Sequence, residues 1–171
     1  MGCKVFALIG RSGSGKTTLL TQLLSIFKSR GVKVATIKHT HHDVQFDQPG
    51  KDSWKHRQYG ADQVMLLSGT EMAIFGKIEP DTSLEEIKTK WFSDYDLLIV
   101  EGFKNEPVFK LEVIRKENNK KPLYQEPGFH VNGIISDEKP ILSIPCFLPA
   151  ETDKIVDWIF QELELRQRKR M

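Results

Sequence analysis

Residues 10 to 17 read Gly10-Arg11-Ser12-Gly13-Ser14-Gly15-Lys16-Thr17, a complete Gly-x-x-x-x-Gly-Lys-Thr string. Its flanks constrain the chain further. Val5-Phe6-Ala7-Leu8-Ile9 before it is a short apolar run, and Thr18-Leu19-Leu20-Thr21-Gln22-Leu23-Leu24 after it has helical spacing. A strand, a glycine-rich turn and a helix N-terminus in that order make a cradle for phosphate. The glycines let successive backbone N–H groups turn inward without a Cβ clash. The whole segment Gly10 to Thr18 is therefore predicted to bind nucleotide phosphates. Lys16 is placed to reach the β- and γ-phosphates and to act in catalysis, and the Thr17 hydroxyl to ligate Mg²⁺.

The pattern downstream fits one α/β domain spanning 1–171. Leu19, Leu20, Leu23, Leu24 and Phe27 share a face of a helix from Lys16 to Arg30, ended by Gly31. Val32 to Lys38 reads as a second strand and Asp52 to Tyr59 as a short helix, with Asp52 or Ser53 as its N-cap. Gln63–Leu67 and Met72–Phe75 flank Ser68-Gly69-Thr70, which predicts a hairpin. Ser83-Leu84-Glu85-Glu86 has capping-box form and opens a helix to about Trp91. Asp96 to Val100 is a continuous apolar strand, and Phe109 to Arg115 alternates. Asn118 to Gly128 reads as an exposed loop, Val131–Ile135 and Ile141–Ile144 as late strands, and Glu151 onward as a last helix with Ile155, Ile159 and Leu163 inward. Strands alternating with helices predict a three-layer fold with a mostly parallel, mixed sheet, its ligand at the carboxyl ends of the strands.

Glu101 closes the Asp96–Val100 run and predicts a second Mg²⁺ ligand, direct or through water, with Gly102 turning the chain beneath the ligand. Asp96 lies about 16 Å away at the far end of that strand and is left out of the site. The loop from Lys38 to Asp52 is dense in polar groups. Asp43 or Asp47 is suited to orient an attacking water or bind Mg²⁺, and Lys51 to contact a phosphate. His39, His41 and His42 offer a transition-metal site as an alternative. Lys104, Arg115, Lys116, Lys120 and Lys121 surround the Asn118 loop, either as a basic lid or as a solvated surface. No Asn-Lys-x-Asp string is present, since Asn119-Lys120-Lys121-Pro122 fails at its fourth position. Ser136-Asp137 is a faint candidate for reading a guanine edge, and the base stays open on the residues alone.

Composition bounds the partners. A net charge of +2 gives no general affinity for nucleic acid. No apolar stretch reaches the ~20 residues of a membrane helix, so no membrane partner is expected. Cys3 and Cys146 fit buried thiols in a reducing cytoplasm. The basic run Arg166-Gln167-Arg168-Lys169-Arg170 reads as a frayed helix end.

The loop after the second strand carries a resemblance. His39-x-His41-His42-Asp43, then Asp47-x-Pro49-Gly50-Lys51-Asp52-Ser53-Trp54, then His56-Arg57 and Gly60-Ala61, together with Val100-Glu101-Gly102-Phe103-Lys104, resemble the molybdopterin-guanine dinucleotide biosynthesis adaptor family (protein B, MobB), a P-loop NTPase fold. Val44 departs from the pattern, which has a Phe directly after the Asp. The resemblance implies GTP with Mg²⁺, slow hydrolysis and a homodimer. It implies a molybdopterin guanylyltransferase as partner, with molybdopterin itself a further candidate. Asp47, Lys51, Asp52 and Lys104 become candidate substrate or phosphate contacts. Two other readings compete: a nucleoside-type kinase with Asp43 as base, and a metallochaperone GTPase using the three histidines.

Overall fold

The structure is a computed structural model describing residues 2–40, 44–118, 120–138, 140 and 142–166. The chain forms two compact units, one of residues 1–39 and 84–171 and the other of residues 40–83.

In the first unit, β1 (Lys4–Ile9), α1 (Lys16–Ser29), β2 (Val34–Lys38), α3 (Leu84–Phe92), β5 (Leu97–Glu101), β6 (Phe109–Ile114), β7 (Gly133–Ser136), β8 (Cys146–Phe147) and α4 (Thr152–Glu162) follow in order. The six strands form one sheet, ordered β2-β5-β1-β6-β7-β8, and every pairing in it is parallel. Side chains alternate between the two faces of the sheet, and each face carries an apolar cluster. Phe6, Leu8, Leu97, Ile99, Leu111 and Val113 pack with Leu19, Leu23 and Phe27 of α1 and Ile155 and Ile159 of α4. Ala7, Ile9, Leu98 and Val100 pack on the other face with Leu84 and Leu123. Each fully buried side chain of this size stabilises the fold by about 1.5–3 kcal/mol. Three layers result, as the alternation of elements predicts.

In the second unit, α2 (Asp52–Gln58) precedes β3 (Gln63–Ser68) and β4 (Glu71–Gly76). The two strands are antiparallel, with Ser68 opposite Glu71 across a turn at Gly69, which has φ +55°. The hairpin thus lies where the sequence placed it. Its antiparallel pair stands in a separate two-stranded sheet, and the main sheet is parallel throughout.

Several local expectations change, among them β7, which runs from Gly133 to Ser136 rather than from Val131. β2 starts at Val34 because the Val32 N–H is spent closing α1 on the Phe27 carbonyl, at 3.1 Å. Lys51 occupies the N-cap of α2; Asp52 is inside the first turn, and the Ser53 hydroxyl instead donates to Asp47 Oδ1 at 3.0 Å. The second late strand falls at Cys146–Phe147. Ile141 lies outside the described residues, and 142–144 are not strand, since Ile134 N–H donates to the Pro145 carbonyl at 2.9 Å and sets the register there. The 118–128 segment is not simply exposed: Leu123 is 2% exposed and fills the second apolar cluster.

Candidate functional site

The phosphate loop joins β1 to α1 at the carboxyl edge of the sheet. Its geometry requires glycine at two positions. Gly10 has φ +144°, and a Cβ there would lie 2.4 Å from the Val113 carbonyl oxygen and 2.8 Å from Ser14 Oγ. Gly15 has φ +84°, at the N-cap of α1, and a Cβ there would lie 3.1 Å from Arg115 Nε. The loop is therefore wedged against the ends of its neighbours. Ser14 is buried, and its hydroxyl has no hydrogen-bond partner among the described residues.

Lys16 folds back over the loop and donates to the carbonyls of Gly10 at 3.1 Å and Arg11 at 2.9 Å. Burial pushes its ammonium pKa down; the Glu101 carboxylate pulls it up, and the positive charges of Lys104 and Lys38 push it down further. The Thr17 hydroxyl donates toward both Glu101 oxygens, at 3.3 and 3.2 Å. Strand register explains that meeting. β5 lies beside β1, Leu8 pairs with Glu101, and Glu101 follows four fully buried residues to emerge at the strand's end. Gly102 then turns the chain, donating its N–H to the Leu8 carbonyl at 3.1 Å. Phe103 follows with φ +52°, a left-handed conformation that is strained for a bulky residue, and its ring centroid lies 4.5 Å from that of His39.

Lys16, Thr17 and Glu101 are thus brought together, with Lys104 exposed on the segment after Glu101. Thr17 and Glu101 present only oxygen donors, and Mg²⁺ takes oxygen ligands while keeping several waters. The residues present fit that ion. A loop with glycines at positive φ before a helix N-terminus fits a phosphate chain. Asp47, Lys51 and Asp52 belong to the second unit. There Asp47 is held by Ser53 and keeps one buried oxygen without a partner among the described residues, while Asp52 pairs with Lys55 at 3.6 Å. Asp43, His41, His42 and the tail from Gln167 onward lie outside the described residues. Among the described residues there is no cluster of three His, Cys, Asp or Glu side chains suited to a metal ion.

Sequence reasoning missed the strap whose described residues, 116–118 and 120–126, meet the loop. Asn118 Nδ2 donates to the Ser12 carbonyl at 2.8 Å. Arg11 Nε donates to the Lys121 carbonyl at 3.1 Å, and the Arg11 guanidinium pairs with Glu126. From below, Glu112, which is 1% exposed, accepts N–H groups from Leu123 at 2.6 Å and Tyr124 at 2.9 Å. Burial pushes the Glu112 carboxyl pKa up, against those two bonds and the charge of Arg11, which pull it down. The polar face of β6, with Glu112 on it, was the available signal. Of the expected basic lid, Arg115 and Lys116 pair with Asp137 and Glu138 after β7.

The model of the family described as molybdopterin guanine dinucleotide synthesis protein B matches residues 5–137. The molybdopterin-guanine dinucleotide biosynthesis adapter protein of Escherichia coli is 31% identical over 94% of this chain and 93% of its own. The Haemophilus influenzae protein of the same name is 39% identical over 68% of this chain and 66% of its own. A crystal structure of molybdopterin-guanine biosynthesis protein B superposes with a TM-score of 0.76 at 27% identity, covering 93% of this chain and 99% of that one. Bacillus subtilis MobB shows the same fold at 23% identity, with a TM-score of 0.73 over 94% of this chain and 98% of its own. With its phosphate loop, its Glu101 strand end and a family match over most of its length, this chain belongs to the MobB family.

Proposed function

We propose that this protein is a GTP-binding adapter in molybdopterin-guanine dinucleotide biosynthesis, with weak Mg²⁺-dependent GTPase activity, serving the cytoplasmic enzyme that attaches GMP to molybdopterin. The observation that carries the nucleotide part is the convergence of Lys16, Thr17 and Glu101 at the mouth of the phosphate loop. Lys16 neutralises phosphate charge, the loop N–H groups orient the chain of phosphates, and Thr17 with Glu101 holds the cation, which supplies further charge neutralisation when bound. The adapter role is supported by the relatives, which carry that role in their names. We read the partner as a molybdopterin guanylyltransferase and the nucleotide as the signal that sets the adapter's docking state.

We further infer a homodimer. The β3–β4 sheet has only two strands, and an isolated hairpin is marginal in water. Leu67 and Met72 on it are 75% and 66% exposed, and Met65 and Leu66 are exposed beside them. The same element from a second copy offers matching strand edges and apolar faces.

The test is co-purification with a molybdopterin guanylyltransferase with and without GTP, using Lys16→Ala as the control. Charge-assisted contacts to phosphate are worth roughly 1.5–3 kcal/mol, so Lys16→Ala should lower GTP affinity about 10- to 100-fold by calorimetry. It should also abolish any GTP-dependent difference in capture. Unchanged GTP affinity would remove the phosphate-loop assignment, and capture of no guanylyltransferase in either state would remove the adapter role.

A further inference from the structure

Ser136 ends β7, and Asp137 follows it at the carboxyl edge of the sheet, the edge where the phosphate loop opens. β6 and β7 are paired with Ile114 opposite Ser136, so Arg115 and Asp137 stand at the next step and Lys116 and Glu138 at the one after. Both steps are ion pairs. They are not equivalent. The outer pair is open to solvent, with side chains 72% and 65% exposed, whereas Arg115 and Asp137 are 29% and 37% exposed. An exposed pair contributes little in water, and a half-covered one is screened less.

The inner pair is tied to the loop. The Arg115 guanidinium packs on Gly15, with Nε 3.1 Å and Nη2 3.2 Å from where a Cβ would sit. Gly15 immediately precedes Lys16. Arg115 therefore bridges the last glycine of the phosphate cradle and the Asp137 carboxylate. The backbone at Asp137 is fixed from the other side as well, since the Glu138 N–H donates to the buried Ser136 hydroxyl at 3.3 Å. In the next strand over, Ile135 pairs with Phe147, so Leu148 follows β8 along the same edge, partly exposed and apolar.

We propose that Asp137 reads the base of the bound nucleotide and that Arg115 is the positioning residue that holds its carboxylate beside the phosphate loop. This rests on the proposal above that the loop binds GTP. A carboxylate accepts only, and guanine offers two adjacent donors, N1–H and the 2-amino group. Two parallel N–H···O bonds to one carboxylate satisfy both. Adenine presents an N1 acceptor at that position, and its lone pair faces the carboxylate unfavourably. Arg115 occupies one lone pair of Asp137 Oδ1, which leaves capacity on both oxygens for the base. Arg115, immediately after β6, supplies the contact that ties the carboxylate to the loop.

The experiment compares affinities of GTP, ATP, ITP and XTP for the full chain, for Asp137→Asn and for Glu138→Gln. Inosine lacks the 2-amino group, and xanthine carries a carbonyl in its place. The wild type should bind GTP roughly 10- to 100-fold more tightly than XTP, with ITP between. Asp137→Asn should lose a similar factor for GTP and gain XTP, since an amide can donate to the xanthine carbonyl. Glu138→Gln should match the wild type. Retained GTP-over-XTP discrimination in Asp137→Asn would overturn the assignment while leaving GTP binding intact. Wild-type protein that binds XTP as well as GTP overturns it without recourse to any variant. Equal wild-type affinity for GTP and ATP instead brings down the GTP reading itself.

Discussion

Glu101 sits where two demands meet. It must end a strand whose preceding four residues are fully buried, and it must hold a charge at the loop mouth beside Thr17. Glu101→Gln keeps the shape and a hydrogen-bond acceptor but removes the hard anionic donor. The fold should survive, and the Mg²⁺ concentration needed for half-maximal GTP binding should rise about 10- to 100-fold, the range seen when a metal-orienting group is lost. A magnesium titration of GTP binding that overlays the wild type would place the ion elsewhere. Lys16, Thr17 and Glu101 were legible in the sequence because each is fixed by short-range spacing, in the string itself or at the end of an apolar run. Glu112 and the pairing of Arg11 with Glu126 were not. Alternation along β6 says which residues share a face, but not that a strap 11 residues away will cover that face and donate two N–H groups to the carboxylate. Such contacts depend on tertiary placement, which local pattern does not encode.

At the scale of elements, strand existence was easier to read than strand partnership. The hairpin followed from Ser68-Gly69-Thr70 between two apolar runs, yet its separation from the main sheet did not, because pairing between sequence-distant strands carries no local signature. The boundary errors have the same origin. The position of β8 is set by which carbonyl Ile134 finds, and that proves to be Pro145. The isolated hairpin makes its own prediction. In the proposed homodimer a second copy covers Leu67 and Met72, so placing charges there should split it. Leu67→Lys with Met72→Lys should elute at the mass of one chain in light scattering, while the wild type elutes at twice that mass. Burying an uncompensated ammonium costs far more than the few kcal/mol such an interface patch supplies. Because both side chains are exposed in the single chain, the far-ultraviolet circular dichroism of the variant should stay close to the wild type at low concentration. A dimeric variant, or a monomeric wild type, would rule the hairpin out as the contact.

For the molecule as a whole, the distribution of cations around the loop predicts a poor hydrolase. Fast phosphoryl transfer needs positive charge aimed at the γ-phosphate in the transition state, and a missing arginine there slows the reaction by a factor of roughly 10³–10⁵. Among the described residues two arginines touch the loop, and both are committed elsewhere. Arg11 is bound to Glu126 and to the Lys121 carbonyl, and Arg115 packs on Gly15 and pairs with Asp137. Lys16 remains, with the ammonium groups of Lys38 and Lys104 near it, but none of the three offers the planar fork with which an arginine clamps the γ-phosphate. The protein alone should therefore bind GTP and turn it over far more slowly than one per second, measured in a single-turnover assay with the protein in excess. A cation supplied from outside, by the guanylyltransferase or by a second copy, should accelerate hydrolysis by orders of magnitude. The strap suggests an internal source as well. Glu126→Gln removes the charge that holds Arg11, without touching the phosphate loop's own residues. Arg11 is then free to turn toward the phosphates, and this variant should hydrolyse GTP faster than the wild type in the same single-turnover assay, with affinity little changed. Turnover of many per second by the unaided wild type would contradict the adapter reading and favour a kinase-like enzyme.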